Sequence, residues 1–280
     1  MRIYKILTLA IFATFMISSC DVIDKPYEQN DGPIVSDTGV VRKILLEDFT
    51  AFRCPNCPAA AVKIKELHNL YGDRVIPVAI HCGSLSFPEG GKYNFRSTDG
   101  KKIDEYFGIS AAGLPKGMIN RTGEPSKQHI LNIDEWAGII TDFLPKKADM
   151  KIEITPSNDA ANIGAEINIE YLNDTEGEHQ LAVILVQDSI IDFQISGAIE
   201  IPDYVHNHVY RAAFNTAWGE KLNPDAPAIN KGTKYKKSYS LPIKADAVHP
   251  WEPKHLKIIA YVYKADTYEV LQAEEVHVSK

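Results

Sequence analysis

The sequence has no surplus of positive charge. Its 30 Lys and Arg stand against 37 Asp and Glu, for a formal charge of −7, and no stretch gathers the basic residues into a stripe. A phosphate backbone would find little to neutralise it, so nucleic acid is excluded as an expected partner. Cysteine is scarce: four residues in 280 are too few for a disulfide scaffold. Past the first twenty positions no apolar run is long enough to span a bilayer, which excludes a polytopic membrane protein. No P-loop, dinucleotide fingerprint or Ser/His/Asp set is readable, so no cofactor is expected. What is present is an ordinary globular composition, 45% hydrophobic and 24% charged, on a chain long enough for two domains.

The N-terminus has the order of an export signal: Arg2 and Lys5, an apolar core over 6–17, then Ser18, Ser19 and Cys20. The Ile17-Ser18-Ser19-Cys20 end resembles the lipobox of bacterial lipoproteins, which implies removal of 1–19 and lipidation of Cys20. Several acyl chains on one cysteine anchor a protein to a membrane durably. Residues 20–40, rich in Asp, Gly, Pro and Ser, read as the tether between lipid and fold.

From 41 to 147 the pattern is a strand over 41–49, then Cys54-Pro55-Asn56-Cys57, then an amphipathic helix over 59–71 with Val62, Ile64, Leu67 and Leu70 as apolar positions. A helix start lowers the pKa of a cysteine placed there, which makes Cys54 the expected nucleophile. A strand over 74–80, an insertion over 82–106, a short helix near 101–107, Gly113-Leu114-Pro115, a strand and a closing helix over 133–144 complete a βαβ-ββα order. The run 46–57 and the segment through Leu114-Pro115 resemble a thioredoxin fold. That resemblance implies a cis Pro115 facing the cysteines and a buried Asp48 beneath them, able to exchange a proton with Cys57. Three features depart from it: Arg53 replaces the tryptophan before the first cysteine, Ile80 stands where a lysine is usual, and the insertion has no counterpart.

The cysteine pair admits other readings. A structural clip over four residues contributes only about 2 kcal/mol of loop entropy, which favours a redox pair. A zinc set of Cys54, Cys57, Cys82 and His81 lacks the second paired spacing that zinc sites show, and no metal is expected. Cys82 reads as a small buried residue at a strand end.

From Met150 the period becomes two. Seven strand windows, 151–155, 162–171, 180–188, 206–214, 233–241, 256–263 and 268–278, suggest an immunoglobulin-like sandwich. His206 and His208 fall on one face of a strand, without a third metal ligand at a readable spacing. Arg211 reads as a tie to the first domain or to a carboxylate.

Taken together, 47–58, Ile80-His81, 114–121 and 205–211 resemble the twenty-eight-kilodalton outer-membrane lipoproteins of Bacteroidetes. The expected architecture is an α/β thioredoxin-like domain (41–147) followed by an all-β immunoglobulin-like sandwich (148–280). The expected location is the outer membrane, through a lipid at Cys20. The expected function is thiol–disulfide exchange with envelope or extracellular proteins, carried by Cys54, Cys57, Asp48 and Pro115. Arg53, His81, Cys82, Phe95 and Arg96 are candidate binding residues. The competing expectation is a non-catalytic surface binding or adhesion protein, whose insertion would present Phe87, Tyr93, Phe95 and Arg96 as contact residues.

Overall fold

A strand buried on both faces must carry apolar side chains on alternating sides, and β1 (Ile44–Thr50) does. Ile44 and Leu46 pack against α1 (Cys57–Tyr71) on one face, whereas Leu45 and Phe49 enter a second core on the other, against α2 (Thr98–Phe107). The computed structural model describes residues 39–90, 92–124, 126–223 and 228–279. The export signal, Cys20 and nearly all of the tether lie outside them.

The parallel neighbour of β1 is β2 (Val75–His81), in a register that sets Asp48 beside Ala79 and Thr50 beside His81. On the other side of β1 runs antiparallel β3 (Lys116–Ile119). Asn120 and Arg121 follow it with φ of 49° and 53°, and the Asn120 side chain accepts the Leu45 N–H at 2.9 Å. That anchored turn aims Arg121 under the sheet. The last helix of this half, α3 (Trp136–Phe143), packs with α1 over the face of Ile44 and Leu46.

Two long strands, β4 (Met150–Asn158) and β5 (Asn162–Tyr171), open the second half as an antiparallel pair. There follow β6 (His179–Gln187), the hairpin β7 (Ile190–Ser196) and β8 (Ile199–His206), β9 (Val209–Ala213), β10 (Lys234–Pro242), β11 (Leu256–Lys264) and β12 (Val270–His277). The main sheet runs β12-β11-β6-β9-β2-β1-β3. β9 joins β2 in parallel at Val209 and Ala79, where the Ala79 N–H donates to the His208 carbonyl at 2.8 Å. A second sheet, β10-β5-β4, packs Ile163, Ile167 and Ile169 against Val183, Leu185 and Ile258 of the first.

The expected pairing of a thioredoxin-like domain with a separate immunoglobulin-like sandwich is therefore corrected. Strand accounts for 43% of the described residues and helix for 19%, and one mixed sheet takes strands from both halves of the chain. All seven strand windows carry strands, but β6, β9, β11 and β12 extend the sheet begun by β1–β3. Period-two patterning reports which residues form strands and which face is buried. It does not report which strand is the neighbour. The hairpin β7–β8 was not foreseen; Gly197, with φ of 59°, opens its two-residue turn.

Candidate functional site

Cys54 and Cys57 form a disulfide at the start of α1, with Cα atoms 5.4 Å apart. The helix begins at Cys57, two residues before its expected start, and Pro58 occupies its first turn, where no backbone donor is needed. Both cysteines are buried, Cys54 at 1% and Cys57 at 3% exposure. The β7–β8 hairpin contributes to that burial. The Ile195 N–H donates to the Phe52 carbonyl at 2.8 Å and the Gly197 N–H to the Pro55 carbonyl at 2.9 Å. Gln194 is buried, and its amide group donates to the carbonyls of Ala51, Cys54 and Ile195 at 3.3, 3.1 and 2.8 Å. Leu114 packs against the small cluster of Ala51, Cys54 and Cys57, and the Leu114–Pro115 bond is cis. Pro115 itself lines a different, open groove between α1 and Asn132.

On β1, Asp48 points toward α1. It is 3% exposed, its Oδ1 has no hydrogen-bond partner, and burial pushes its carboxyl up to about 8. The register explains its isolation. Its neighbours on the same face are Ala79 and His81, whereas Ile80 turns into the opposite core, so Ile80 is not the residue beside the carboxyl.

A cavity of about 380 Å³ lies between α1, β2 and β8. Asp48, Thr50, Cys57, His81, Tyr204 and His206 line its depth, and Val62, Lys65 and Val205 stand at its exposed side. Three of its histidines, His81, His206 and His208, have lowered pKa values. His81, stacked on Phe95 at 4.5 Å, has its pKa pulled well below the ordinary value by burial, then by His206 and Arg211. Burial lowers His206 to about 4. His208 is also lowered by burial, while its Nδ1 lies 3.2 Å from Asp188. His206 and His208 do not share a strand face: His206 ends β8, and His208, with φ of 58°, precedes β9. Among the described residues, no group of three or more His, Cys, Asp or Glu side chains is arranged as metal ligands.

The other candidates serve internal contacts. Arg53 pairs with Glu89 and donates to the Ser84 and Leu85 carbonyls at 2.6 and 3.3 Å. Cys82 is buried, and burial and the nearby Asp104 carboxylate raise its pKa far above the ordinary range. A thiol so held does not become a resolving nucleophile. Phe95 is buried with Phe52 and Phe193, and Arg96 sits 4.0 Å over the Phe87 ring. Tyr93 bonds to Asp246, and Arg211 bonds to both, at 2.8 Å each. Arg211 therefore ties the insertion and a carboxylate together. Of the insertion's proposed contact residues, Phe87 is the exposed aromatic one.

Gln194 and Tyr204 escaped the sequence reading altogether, because both belong to the unforeseen hairpin. The Ser196-Gly197 pair between two apolar runs was the available signal.

A family model described as Outer membrane protein Omp28 matches residues 101–280. The chain belongs to the Omp28 outer-membrane protein family. The match begins after the CxxC segment, so the Omp28 assignment rests on residues from the insertion's helix onward, β3 and α3 included, and on the strand-rich half. It places the protein in the outer membrane, as the family resemblance implied. No curated protein matches the sequence. Among solved structures, HBP35 of Porphyromonas gingivalis is similar at TM-score 0.65 and 19% identity, over 85% of this chain and 76% of that one. A protein of Agrobacterium tumefaciens follows at TM-score 0.52 and 15% identity, over 85% and 96%. A domain of the outer membrane lipoprotein Omp28 from P. gingivalis overlaps 47% of this chain and 88% of its own, at 21% identity and TM-score 0.35. The first two likenesses establish a shared fold.

Proposed function

We propose that this Omp28-family protein is a lipoprotein, anchored through Cys20, that exchanges thiols and disulfides in the cell envelope at Cys54–Cys57. The observation that carries this reading is the carboxyl of Asp48, buried without a charge partner in the cavity that Cys57 also lines. Burying such a group costs stability, and a structural clip does not require it. With a pKa of about 8, Asp48 can hold a proton at neutral pH and pass it to or from a cysteine sulfur as the disulfide opens and closes. Leu114 packs beside the pair, and Pro115 lines the neighbouring groove. The partners are envelope or extracellular proteins, or the thiols released among them.

The test is the reduction potential of the pair in the mature chain carrying Cys20→Ala, equilibrated against dithiothreitol buffers. A potential between roughly −120 and −270 mV supports exchange. A value below about −300 mV, or no two-electron transition, overturns it and leaves a structural clip.

A further inference from the structure

The two cysteines, both buried, do not line the same space. Cys54 is enclosed by Leu114 and by a hairpin hydrogen-bonded to the loop on either side of it, at Phe52 and Pro55. Its own carbonyl is taken by Gln194. The 380 Å³ cavity reaches the pair from the α1 side, where Cys57 forms part of the wall and Cys54 does not. Two polar atoms there lack partners: Asp48 Oδ1 and His81 Nδ1, both on side chains more than nine-tenths buried. Buried polar atoms without partners mark a place where a ligand's polar group is recognised. The volume is many times the roughly 30 Å³ share of one water, yet too small for a folded polypeptide. Pro58, Ala61, Val62 and Ile64 supply the apolar part of the α1 wall.

From these features, and resting on the exchange reading above, we infer that the cavity admits a low-mass thiol bearing a hydroxyl or amino group, and that this thiol attacks Cys57 rather than Cys54. The entering thiolate forms a bond to Cys57 Sγ as the Cys54–Cys57 bond breaks. Cys54 leaves as a thiolate and takes up the proton that the entering thiol released. A second molecule of the thiol attacks the mixed disulfide at its own sulfur, releasing the small disulfide and a Cys57 thiol. Two small thiols are oxidised and the protein pair gains two electrons. The polar tail of the thiol meets Asp48 and His81. This reverses the order of the cysteines expected from their places before the helix. Position along the chain favours Cys54, but access favours Cys57.

The probe is 2-mercaptoethanol, uncharged and carrying one hydroxyl, added to the oxidised full-length protein. Early acid quench, alkylation with N-ethylmaleimide in denaturant and peptide fragmentation then locate the adduct. The expected result is hydroxyethyl disulfide on Cys57 and maleimide on Cys54. A second variant, Ala61→Trp on the exposed wall of the cavity, is expected to slow reduction by an order of magnitude or more, with the reduction potential unchanged. An adduct on Cys54, an equal mixture, or a rate indifferent to Ala61→Trp overturns this route and leaves the exchange reading standing. A pair that 2-mercaptoethanol does not reduce at all, with a potential below about −300 mV, overturns both.

Discussion

Glu47 and Asp48 are neighbours on β1, each 3% exposed, and they meet opposite fates. Glu47 turns into the core beneath the sheet, where Arg121 binds it through two nitrogens at 2.8 and 2.7 Å and also donates to Tyr261 at 2.9 Å. Burial opposes the charge on Arg121, but Glu47 more than offsets it and keeps the guanidinium ionised. Asp48 turns the other way and meets Ala79, neutral His81 and open volume. The same carboxyl chemistry, one residue apart and equally buried, is a structural tie on one face and a proton-holding group on the other. Depth does not distinguish a paired carboxyl from an unpaired one. The distinction lies in whether the fold supplies a partner.

The strongest way to break this comparison is to take the partner away from Glu47. Arg121→Met leaves a buried carboxylate uncompensated and is expected to cost about 3–5 kcal/mol in urea unfolding. A loss under about 1 kcal/mol would mean that the pair is dispensable. Removing the charge from Asp48 should act in the opposite sense. Its folded pKa of about 8 lies above that of an unfolded aspartate, so between pH 4 and 8 the folded state binds the extra proton. Stability then falls as pH rises through that window, by at most about 1.4 kcal/mol per pH unit, and levels off above it. Asp48→Asn should lack this slope and be the more stable protein at pH 8. Matching wild-type and variant slopes would refute the raised pKa. A smaller effect concerns the cavity wall. His206 is depressed to about 4, so the unfolded state takes its proton first as pH falls below 6.5. Stability is therefore lost between pH 6.5 and 4, and His206→Phe should recover about 1–3 kcal/mol of that loss at pH 4, measured by thermal or urea unfolding.

Much of the site was legible because its logic is local. The Cys54–Cys57 spacing, the helix after it and an acid on the preceding strand sit within two dozen residues. Alternation along β1 suffices to put Asp48 on the helix side. The rest depends on partners distant in sequence. Nothing near Phe95 announces that it stacks on His81, and nothing near Gln194 says that its amide will hold residues 140 and 143 positions away. The fold class failed for the same reason. Each strand of the second half was recognisable, but Val209 pairing with Ala79 is a tertiary fact that periodicity does not carry.

The shared sheet also bears on how the protein comes into being. An exported chain emerges N-terminus first, so β1 and β2 arrive before β9, β6, β11 and β12, which complete their sheet. The N–H of Lys43 waits for Gln272, 229 positions later, and the carbonyl of Asn120 for the N–H of Val270. Until β9 is delivered, β2 presents an unpaired, largely apolar edge to the compartment it has entered. Such a molecule folds late and all together, and its dependence on long-range pairing makes it slow. Between translocation and completion it is a natural client for whatever shields strand edges in the envelope.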